Sequence, residues 1–300
     1  MAELSITKEE RLKRIRHYIS RMRGLSTTAE RVLEACNNPR TSPNYLSHVI
    51  SLDPVLTGRV LRVVNSAYYS LPRKVTSLTR AIIMLGLNTV KNLVLSTALL
   101  DVFRKKRATP ALFEDDFWVH SIGVGVIAKF LAEIKGVPAI QREEYFVAGL
   151  LHDLGKVPLS SEFTEEYTMI LKLAKIKQHP LYQEERVALG LDHCVVGRLI
   201  AEEWQLGSPL DAVLSCHHNL DAATCQSELL ASTVALANAY ANIYEIGSAG
   251  DFFPDEAVVD SLPKSTGIAW SSICGLQGRV LQEIEKARIF LHIDEKKQTA

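Results

Sequence analysis

Residues 147–157 read Val-Ala-Gly-Leu-Leu-His-Asp-Leu-Gly-Lys-Val, an apolar helical run that closes on a His-Asp dipeptide. Neutral imidazole and carboxylate are ligands that suit Fe, Mn or Zn. The lysine just beyond the pair, Lys156, could supply a point charge for a phosphate group. A buried histidine beside a capping aspartate would give the same dipeptide, so the interpretation depends on where the other histidines fall.

The rest of the chain predicts helices almost throughout. Apolar residues recur at helical spacing in one segment after another, and strand-like alternation is nearly absent. Asp53-Pro54 places a capping side chain before a proline at the first helical position. A helix is expected over residues 143–154, bearing His152 and Asp153. The chain is therefore predicted to be all-α.

The amino-acid composition argues against several classes of protein. The 300 residues, 47% of them hydrophobic, suffice to bury a large core in one domain or two subdomains. Lys+Arg and Asp+Glu number 34 each, which argues against a surface for polyanions. The apolar runs are too short for a bilayer, the N-terminus has no export signal, and the five cysteines form no CxxC pair. We expect a cytoplasmic protein without a membrane segment.

A basic run, Arg104-Lys105-Lys106-Arg107, followed by Pro110, marks the boundary that we expect between two helical lobes. The predicted divisions are an N-terminal lobe over 1–110, a second lobe over 111–250, and a C-terminal loop and helix over 251–300. The run has no interleaved aromatic residues, so a solvated helix end is favoured over a nucleic-acid patch. A nucleic-acid partner is the less favoured alternative.

Several longer motifs occur together and in order. They are Asp53-Pro54-x-Leu56-x-x-x-Val60-Leu61-x-x-Val64-Asn65-Ser66-Ala67-Tyr68, Ser77-Leu78-x-x-Ala81-Ile82-x-x-Leu85-Gly86, Trp118-Val119-His120-Ser121, the run from Ala148 to Lys156, and Glu185 with Gly190-Leu191-Asp192-His193. Over roughly residues 20–245 this series resembles the HDOD domain, the HD-related output domain. The resemblance implies a two-lobed helical bundle of bacterial origin with a signalling role. It also implies a relationship to HD phosphohydrolases and to HD-GYP cyclic-di-GMP phosphodiesterases.

The resemblance further implies that side chains from several helices converge on the His-Asp pair as metal ligands. The implied set is His120, His152, Asp153, His193, His217 and His218, with Asp116 one helical turn before His120 and Asn238 at the last ligand position. Asp153 would bridge two metal ions and Lys156 would be the phosphate-facing cation, so these two carry the implied catalytic roles. The implied cofactor is a divalent transition metal, Fe or Mn ahead of Zn or Ni, as one ion or two. The resemblance leaves open that none is held.

Two features depart from the HD pattern. Asn238 stands where that pattern has an aspartate, and an amide is a neutral, weaker ligand. No Gly-Tyr-Pro loop follows His217-His218-Asn219, so the features that recognise cyclic-di-GMP are missing. We therefore expect a stand-alone signalling module that acts through a protein partner or a small phosphorylated ligand. The alternative is a metal-dependent phosphohydrolase acting on a nucleotide or a related phosphoester.

Other polar residues near these motifs are left with two interpretations. Glu185 is either a site residue or an ion-pair partner within its lobe. Asn65 and Tyr68 are either helix-terminal packing residues or part of an exposed edge for a partner. Cys194 and Cys216 adjoin two of the candidate histidines, but no CxxC spacing supports a structural zinc site. We expect both cysteines to be buried small hydrophobes.

Overall fold

The computed structural model describes residues 6–21, 27–38, 40–104, 114–220, 228–254 and 256–290. Within those ranges the protein has sixteen α-helices and no strand, which confirms the all-α prediction. Residues 105–107 of the basic run, and the chain beyond 290, lie outside the described residues.

The helices follow one another along the chain with mostly short connections. They are α1 (Lys8–Arg21), α2 (Thr27–Asn37), α3 (Pro43–Ser51), α4 (Pro54–Val64), α5 (Leu78–Leu85), α6 (Leu87–Arg104), α7 (Glu114–Ile134), α8 (Ala139–Leu151), α9 (Lys156–Glu162), α10 (Thr164–Lys177), α11 (Leu181–Leu189), α12 (His193–Glu203), α13 (Ser208–Cys216), α14 (Glu228–Ile243), α15 (Glu256–Thr266) and α16 (Gln277–Ala287). Short 3₁₀ turns flank α16.

Side-chain caps fix where several helices begin. Asp53 accepts hydrogen bonds from two backbone N–H groups in the first turn of α4, at 3.0 and 2.9 Å, with Pro54 at the first helical position. Asp192 accepts from the N–H of Val195 at 2.8 Å and so starts α12 at His193. Caps of this kind are each worth about 1 kcal/mol. The cap on α12 matters most here, because His193 is a predicted ligand.

The helix that carries the His-Asp pair ends earlier than its periodicity predicts. α8 stops at Leu151, so His152 is its C-terminal cap residue and Asp153 lies in the turn that leads to α9. Gly155 explains the turn, since a Cβ there would lie 1.9 Å from the backbone oxygen of His193. Only glycine allows the start of α12 to come this close. The turn thus places the His-Asp pair next to the N-terminus of α12.

One continuous apolar core holds two groups of helices together. Helices α2–α6 pack on one another, and α7, α8, α12, α13 and α14 form the second group, joined to the first where α6 packs on α8. Helix α1 comes first in the chain but contacts α12 of the second group and the neighbouring α9. There the Tyr18 hydroxyl donates to Ser161 Oγ at 3.1 Å, and Arg14 pairs with Glu162 at 3.4 Å.

A polar cluster also joins the two groups. Lys129 of α7 donates to the Tyr68 hydroxyl at 3.0 Å and to the Glu143 carboxylate, and the Tyr69 hydroxyl donates to Glu143 at 3.2 Å. The Asn65 side chain bonds backbone groups at both ends of the connection between α4 and α5. These contacts support the packing interpretation of the segment that follows α4.

One helix is longer and more apolar than the sequence analysis allowed. Residues Asp115–Ile134 of α7 could cross a membrane by length and composition, and the bent pair α5–α6 passes the same test if counted as one span. In the structure 78% of the α7 window is buried against the rest of the protein. Helices that are apolar all round occur in the cores of large domains as well as in membranes.

Candidate metal centre

Six of the predicted ligands meet at one buried point. They come from α7, from the turn between α8 and α9, from the start of α12 and from the end of α13. The six residues are His120, His152, Asp153, His193, His217 and His218. The first five are at most 1% exposed, and the His218 side chain is 12% exposed. Their ligand atoms form two groups that share Asp153, each with all atoms within 4.8 Å of one another.

The first group surrounds one oxygen of the shared carboxylate. Asp153 Oδ1 lies 3.4 Å from His193 Nε2 and 3.5 Å from His217 Nε2, and these two nitrogens are 3.3 Å apart. His218 completes the group. We call Asp153 Oδ1, His193, His217 and His218 the Oδ1 half of the centre.

The second group surrounds the other oxygen. Asp153 Oδ2 lies 3.2 Å from His152 Nε2 and 3.9 Å from His120 Nε2, and we call these three residues the Oδ2 half. Here other side chains already contact two of the three ligand atoms. Lys156 Nζ lies 2.8 Å from Asp153 Oδ2, and Asn238 Oδ1 lies 3.1 Å from His120 Nε2. Asn238 therefore sits beside His120, in the place that the resemblance implies, but as its hydrogen-bond partner.

Acceptors behind the imidazole rings aim the ligand nitrogens inward. His193 Nδ1 lies 2.7 Å from Glu185 Oε2, and the Nδ1 atoms of His152 and His217 lie 2.7 and 2.9 Å from backbone oxygens of their own helices. A proton on Nδ1 leaves the Nε2 lone pair facing the centre, which is the tautomer that a metal requires.

Glu185 is a fixed orienting residue for His193. Besides the contact with the ring, Oε2 accepts from the backbone N–H of His193 at 2.9 Å, and Oε1 accepts from the Tyr167 hydroxyl at 2.6 Å. Burial lowers the pKa of His193, but the carboxylate of Glu185 outweighs it, so this pKa lies well above its ordinary value. Of the two interpretations that the sequence allowed, the structure supports a site role for Glu185.

Lys156 lies buried between two carboxylates. Its ammonium group is 2.8 Å from Asp153 Oδ2 and 3.1 Å from Asp251 Oδ2. Burial lowers the pKa of Lys156, but the two carboxylates outweigh it and hold this pKa above its ordinary value. Burial likewise raises the pKa of Asp153, yet His152 and Lys156 outweigh it and keep the pKa well below the usual range. The lysine is therefore charged and engaged, and it does not face an open cleft.

Asp251 is a residue of the centre that sequence analysis missed. It lies between α14 and α15 with its side chain 3% exposed, accepts from the N–H of Leu181 at 2.9 Å, and lies 3.9 Å from His218 Nε2. Gly247 adopts a positive φ of +61° and lets this segment lie on α7. A Cβ at Gly247 would come within 2.4 Å of the backbone nitrogen of His120. No motif marks Asp251 in the sequence, because tertiary packing alone brings it here.

Asp116 is not part of the centre. Its side chain is exposed and belongs to neither group, although its backbone oxygen accepts from the N–H of Ser248 at 3.1 Å. Asp116 lies one helical turn before His120, and residues at this spacing share a helix face. Its carboxylate is nevertheless exposed to solvent and does not reach the ligand atoms. Sharing a helix face with His120 is therefore not sufficient to bring the Asp116 side chain into the centre.

Cys194 lies against the centre. Its sulfur is 3.7 Å from His217 Nδ1. Burial raises the pKa of the Cys194 thiol, but His217 and His193 outweigh it and lower the pKa to about 7. Cys194 and Cys216 are both buried, as the sequence predicts. Cys194 is in addition a polar neighbour of a predicted ligand.

The residues fit a divalent transition metal. Three buried atoms that face the centre have no hydrogen-bond partner among the described residues, namely His152 Nε2, Asp153 Oδ1 and His218 Nε2. An unsatisfied buried polar atom costs about 1–3 kcal/mol, which a bound cation would offset. Burial also lowers the pKa of His120 to about 4 and keeps the pKa of His218 well below its ordinary value, so both rings are neutral at pH 7. The pKa of His193 lies well above its ordinary value, and although burial lowers the pKa of His217, Cys194 and Asp153 outweigh it and raise that pKa to about 10. A bound cation would therefore displace a proton from His193 and His217. Neutral imidazoles with a carboxylate suit Zn, Fe, Mn or Ni.

The open space beside the centre is small. A cavity of about 30 Å³ is bordered by His217, His218, Asn238 and Asp251, among others. Such a volume holds one or two water molecules, whereas pockets for small-molecule ligands measure about 300–1,000 Å³. In this conformation the centre is closed to a nucleotide on that side.

Comparison with known proteins points to one family. A family model of the HDOD domain matches residues 22–220. An HDOD domain protein of unknown function from Geobacter sulfurreducens has a similar structure, with 27% identity and a TM-score of 0.68, covering 96% of this chain and 99% of that one. A curated relative, an uncharacterized protein of Treponema pallidum, is 28% identical over 210 residues, or 69% of this chain. The chain spans 39% of the length of that relative.

Two further solved structures share the fold at lower identity. One is a candidate phosphohydrolase from Shewanella amazonensis, at 22% identity and TM-score 0.65, covering 94% of this chain and 97% of that one. The other is a candidate signal transduction protein from Marinobacter aquaeolei, at 18% identity and TM-score 0.69, covering 99% of this chain and 68% of that one. At these identities the likeness shows the fold alone.

Proposed function

Because this chain belongs to the HDOD domain family, we propose that it is a cytoplasmic bacterial regulatory module that acts by binding and not by turnover. Its buried centre holds a divalent transition metal. Its partner is a protein or a small phosphorylated ligand. Residues 1–110 and 111–250 act as the two lobes of the module, with α1 of the first packed on α9 and α12 of the second. The free cysteines of the described residues, Cys194, Cys216 and Cys274, are consistent with a reducing compartment.

The closed centre is the observation that carries this proposal. Its ligand atoms are buried, and the cavity of about 30 Å³ beside them is too small for a nucleotide. Lys156, the residue that would otherwise face a phosphate, already makes two ion pairs with Asp153 and Asp251. Asn238 supplies a neutral amide where an HD hydrolase would supply a second carboxylate. This arrangement suits metal binding better than it suits substrate turnover.

The competing function is that of a metal-dependent phosphohydrolase. It is favoured by the inward-facing Nε2 atoms around Asp153, since a metal placed there would lower the pKa of a bound water and polarise a phosphoryl oxygen. For a substrate to reach that metal, the segment that carries Asp251 would have to leave Lys156 and Leu181.

A turnover assay on the full chain separates the two functions. The protein is loaded with Mn²⁺ or Fe²⁺, its metal content is verified, and it is incubated with nucleoside phosphates, cyclic dinucleotides and a generic aryl phosphate. We expect no hydrolysis above that of the Asp153→Asn variant, which keeps the shape of the side chain but loses its charge. Hydrolysis by the wild type that this variant lacks would establish the enzyme and overturn the binding proposal.

A nucleic-acid partner for the basic run is tested separately. Of Arg104–Arg107 only Arg104 belongs to the described residues, so the argument against this partner is compositional. Binding to duplex and single-stranded DNA should be weak, and any binding should vanish as salt is raised, because only non-specific phosphate contacts are expected. Tight binding that survives physiological salt would reverse this expectation.

A further inference from the structure

We infer that the centre binds a single ion, held in the Oδ1 half by Asp153, His193, His217 and His218, and that the ammonium group of Lys156 takes the place of a second ion in the Oδ2 half. This inference rests on the proposal that the centre holds metal. It goes further by assigning the number of ions, the ligands, and the charge that replaces a second ion.

The distances in the Oδ1 half are those of a tetrahedral metal site. Asp153 Oδ1, His193 Nε2 and His217 Nε2 form a triangle with sides of 3.3, 3.4 and 3.5 Å. Ligand bonds of about 2.0–2.1 Å in a tetrahedron give edges of about 3.3–3.4 Å. The three atoms thus already stand where a tetrahedral ion would hold them.

A fourth ligand is available in the same group, whose ligand atoms all lie within 4.8 Å of one another. His218 Nε2 has no hydrogen-bond partner among the described residues, and its ring belongs to the same group of ligand atoms. The ring stacks on Tyr182, with centroids 4.6 Å apart and planes 22° apart, which fixes its plane. His218 also borders the small cavity and is the most exposed member of the group, so an ion can enter beside it.

Orienting contacts hold two of the three histidines of the Oδ1 half. Glu185 and a backbone oxygen hold the outer nitrogens of His193 and His217 at 2.7 and 2.9 Å. Such outer contacts fix the ring tautomer and raise the basicity of the ligand. The oxygen that faces these rings, Asp153 Oδ1, has no hydrogen-bond partner among the described residues and is free to bind an ion.

In the Oδ2 half a positive charge is already in place. Lys156 Nζ contacts Asp153 Oδ2 at 2.8 Å, and Asp251 balances the remaining charge of the ammonium group at 3.1 Å. Asn238 is bonded to His120 Nε2, which leaves His152 Nε2 as the one unpaired ligand atom of that half within the described chain. A second dication would lie beside the buried ammonium group of Lys156, and no further carboxylate would be available to bind that dication. Repulsion and the lack of ligands both oppose it.

The test measures the number and geometry of bound ions, without reference to turnover. Metal-free full-length protein is titrated with Co²⁺, bound metal is counted by elemental analysis after desalting, and the visible absorption spectrum is recorded. Tetrahedral Co²⁺ absorbs far more strongly than octahedral Co²⁺. We expect one ion per chain with the strong tetrahedral spectrum. Two ions per wild-type chain, or one ion with an octahedral spectrum, would overturn the inference.

Matched histidine variants locate the ion. His193→Gln and His120→Gln each replace a fully buried imidazole, one from each half of the centre. We expect His193→Gln to lose the ion and His120→Gln to keep one ion with an unchanged spectrum. Circular dichroism shows whether both variants fold. If His193→Gln does not fold, His218→Gln at the rim replaces it and should weaken binding at least tenfold. Loss of the ion from a folded His120→Gln protein would place it in the Oδ2 half.

Removing the lysine tests the internal charge. Lys156→Met keeps the length of the side chain but frees Asp153 Oδ2 and Asp251 as ligands, so we expect a second, weaker Co²⁺ to bind. If a folded Lys156→Met protein still binds one ion, Lys156 does not exclude the second. A wild-type chain that binds no ion at all contradicts the metal-holding proposal itself, whereas two ions contradict only the inference of a single one.

Discussion

The two oxygens of one carboxylate, Asp153, have opposite surroundings. Oδ1 faces two imidazole nitrogens at 3.4 and 3.5 Å and makes no hydrogen bond within the described chain, whereas Oδ2 pairs with the ammonium group of Lys156 at 2.8 Å. The same atom type is thus a ready ligand on one side and half of an ion pair on the other. Neighbouring side chains, and not the identity of the aspartate, decide which role each oxygen has.

The histidines of the two halves also have different surroundings. His193 in the Oδ1 half has a carboxylate behind it, and its inner nitrogen lies 3.3 Å from that of another candidate ligand, His217. His120 in the Oδ2 half has Asn238 against its inner nitrogen and a backbone oxygen, that of Ile246, 3.3 Å from its outer one. Two histidines that the family resemblance treats alike therefore differ in their capacity to bind metal.

Asp153→Asn should have the largest effect, because it removes the carboxylate that both halves share. Metal binding is lost, and Lys156 keeps only Asp251 as a buried counter-charge. Breaking one partner of a buried ion pair costs about 3–5 kcal/mol. Elemental analysis and urea unfolding measure the two effects. The exposed Asp260→Asn variant should change unfolding by less than about 0.5 kcal/mol. Near-native stability of Asp153→Asn would show that the ion pair contributes little.

Glu185→Gln should weaken metal binding about 10–100-fold, because outer partners of metal-bound histidines contribute that much. The matched control is Glu184→Gln, one residue earlier in α11, whose carboxylate contacts Lys177 and His179 at 2.8 and 2.7 Å instead. Calorimetric titration with a divalent ion measures both affinities. Equal affinities for the two variants would mean that the Oδ1 half does not depend on its orienting carboxylate.

Gly247→Ala should destabilise the protein more than Gly136→Ala. Both glycines have positive φ, +61° and +74°, so both substitutions incur the left-handed penalty of about 1–2 kcal/mol. A Cβ at Gly136 meets nothing within 4 Å, but one at Gly247 would lie 2.4 Å from the backbone nitrogen of His120. The segment carrying Asp251 must then shift away from Lys156. Equal losses in thermal unfolding would show that this segment is not tightly seated.

Asp116→Asn should have the smallest effect. Its side chain is exposed and belongs to neither half, so metal affinity should change less than about twofold. Calorimetric titration under the conditions used for Glu185→Gln measures it. A tenfold loss would mean that Asp116 reaches the centre in the metal-bound protein, as the family resemblance implied.

Much of the fold follows from local patterns. Asp53-Pro54 and Asp192 start helices where the sequence predicts, because a capping side chain and a fixed proline φ act within one turn of chain. The sequence predicts that α8 ends at residue 154, three residues beyond its actual end at Leu151. The actual end is set by the close approach of α12 at Gly155, and hydrophobic periodicity carries no information about such an approach.

The helical class, the family and the set of histidines around the His-Asp pair follow from the amino-acid sequence, since each depends on residue types at fixed short spacings. Only the tertiary structure excluded Asp116, added Asp251 across 95 residues from Lys156, and placed Cys194 against His217. It also assigned the two oxygens of Asp153 to different partners. Those outcomes depend on distances of a few ångströms between segments far apart in the chain, and side-chain packing sets such distances.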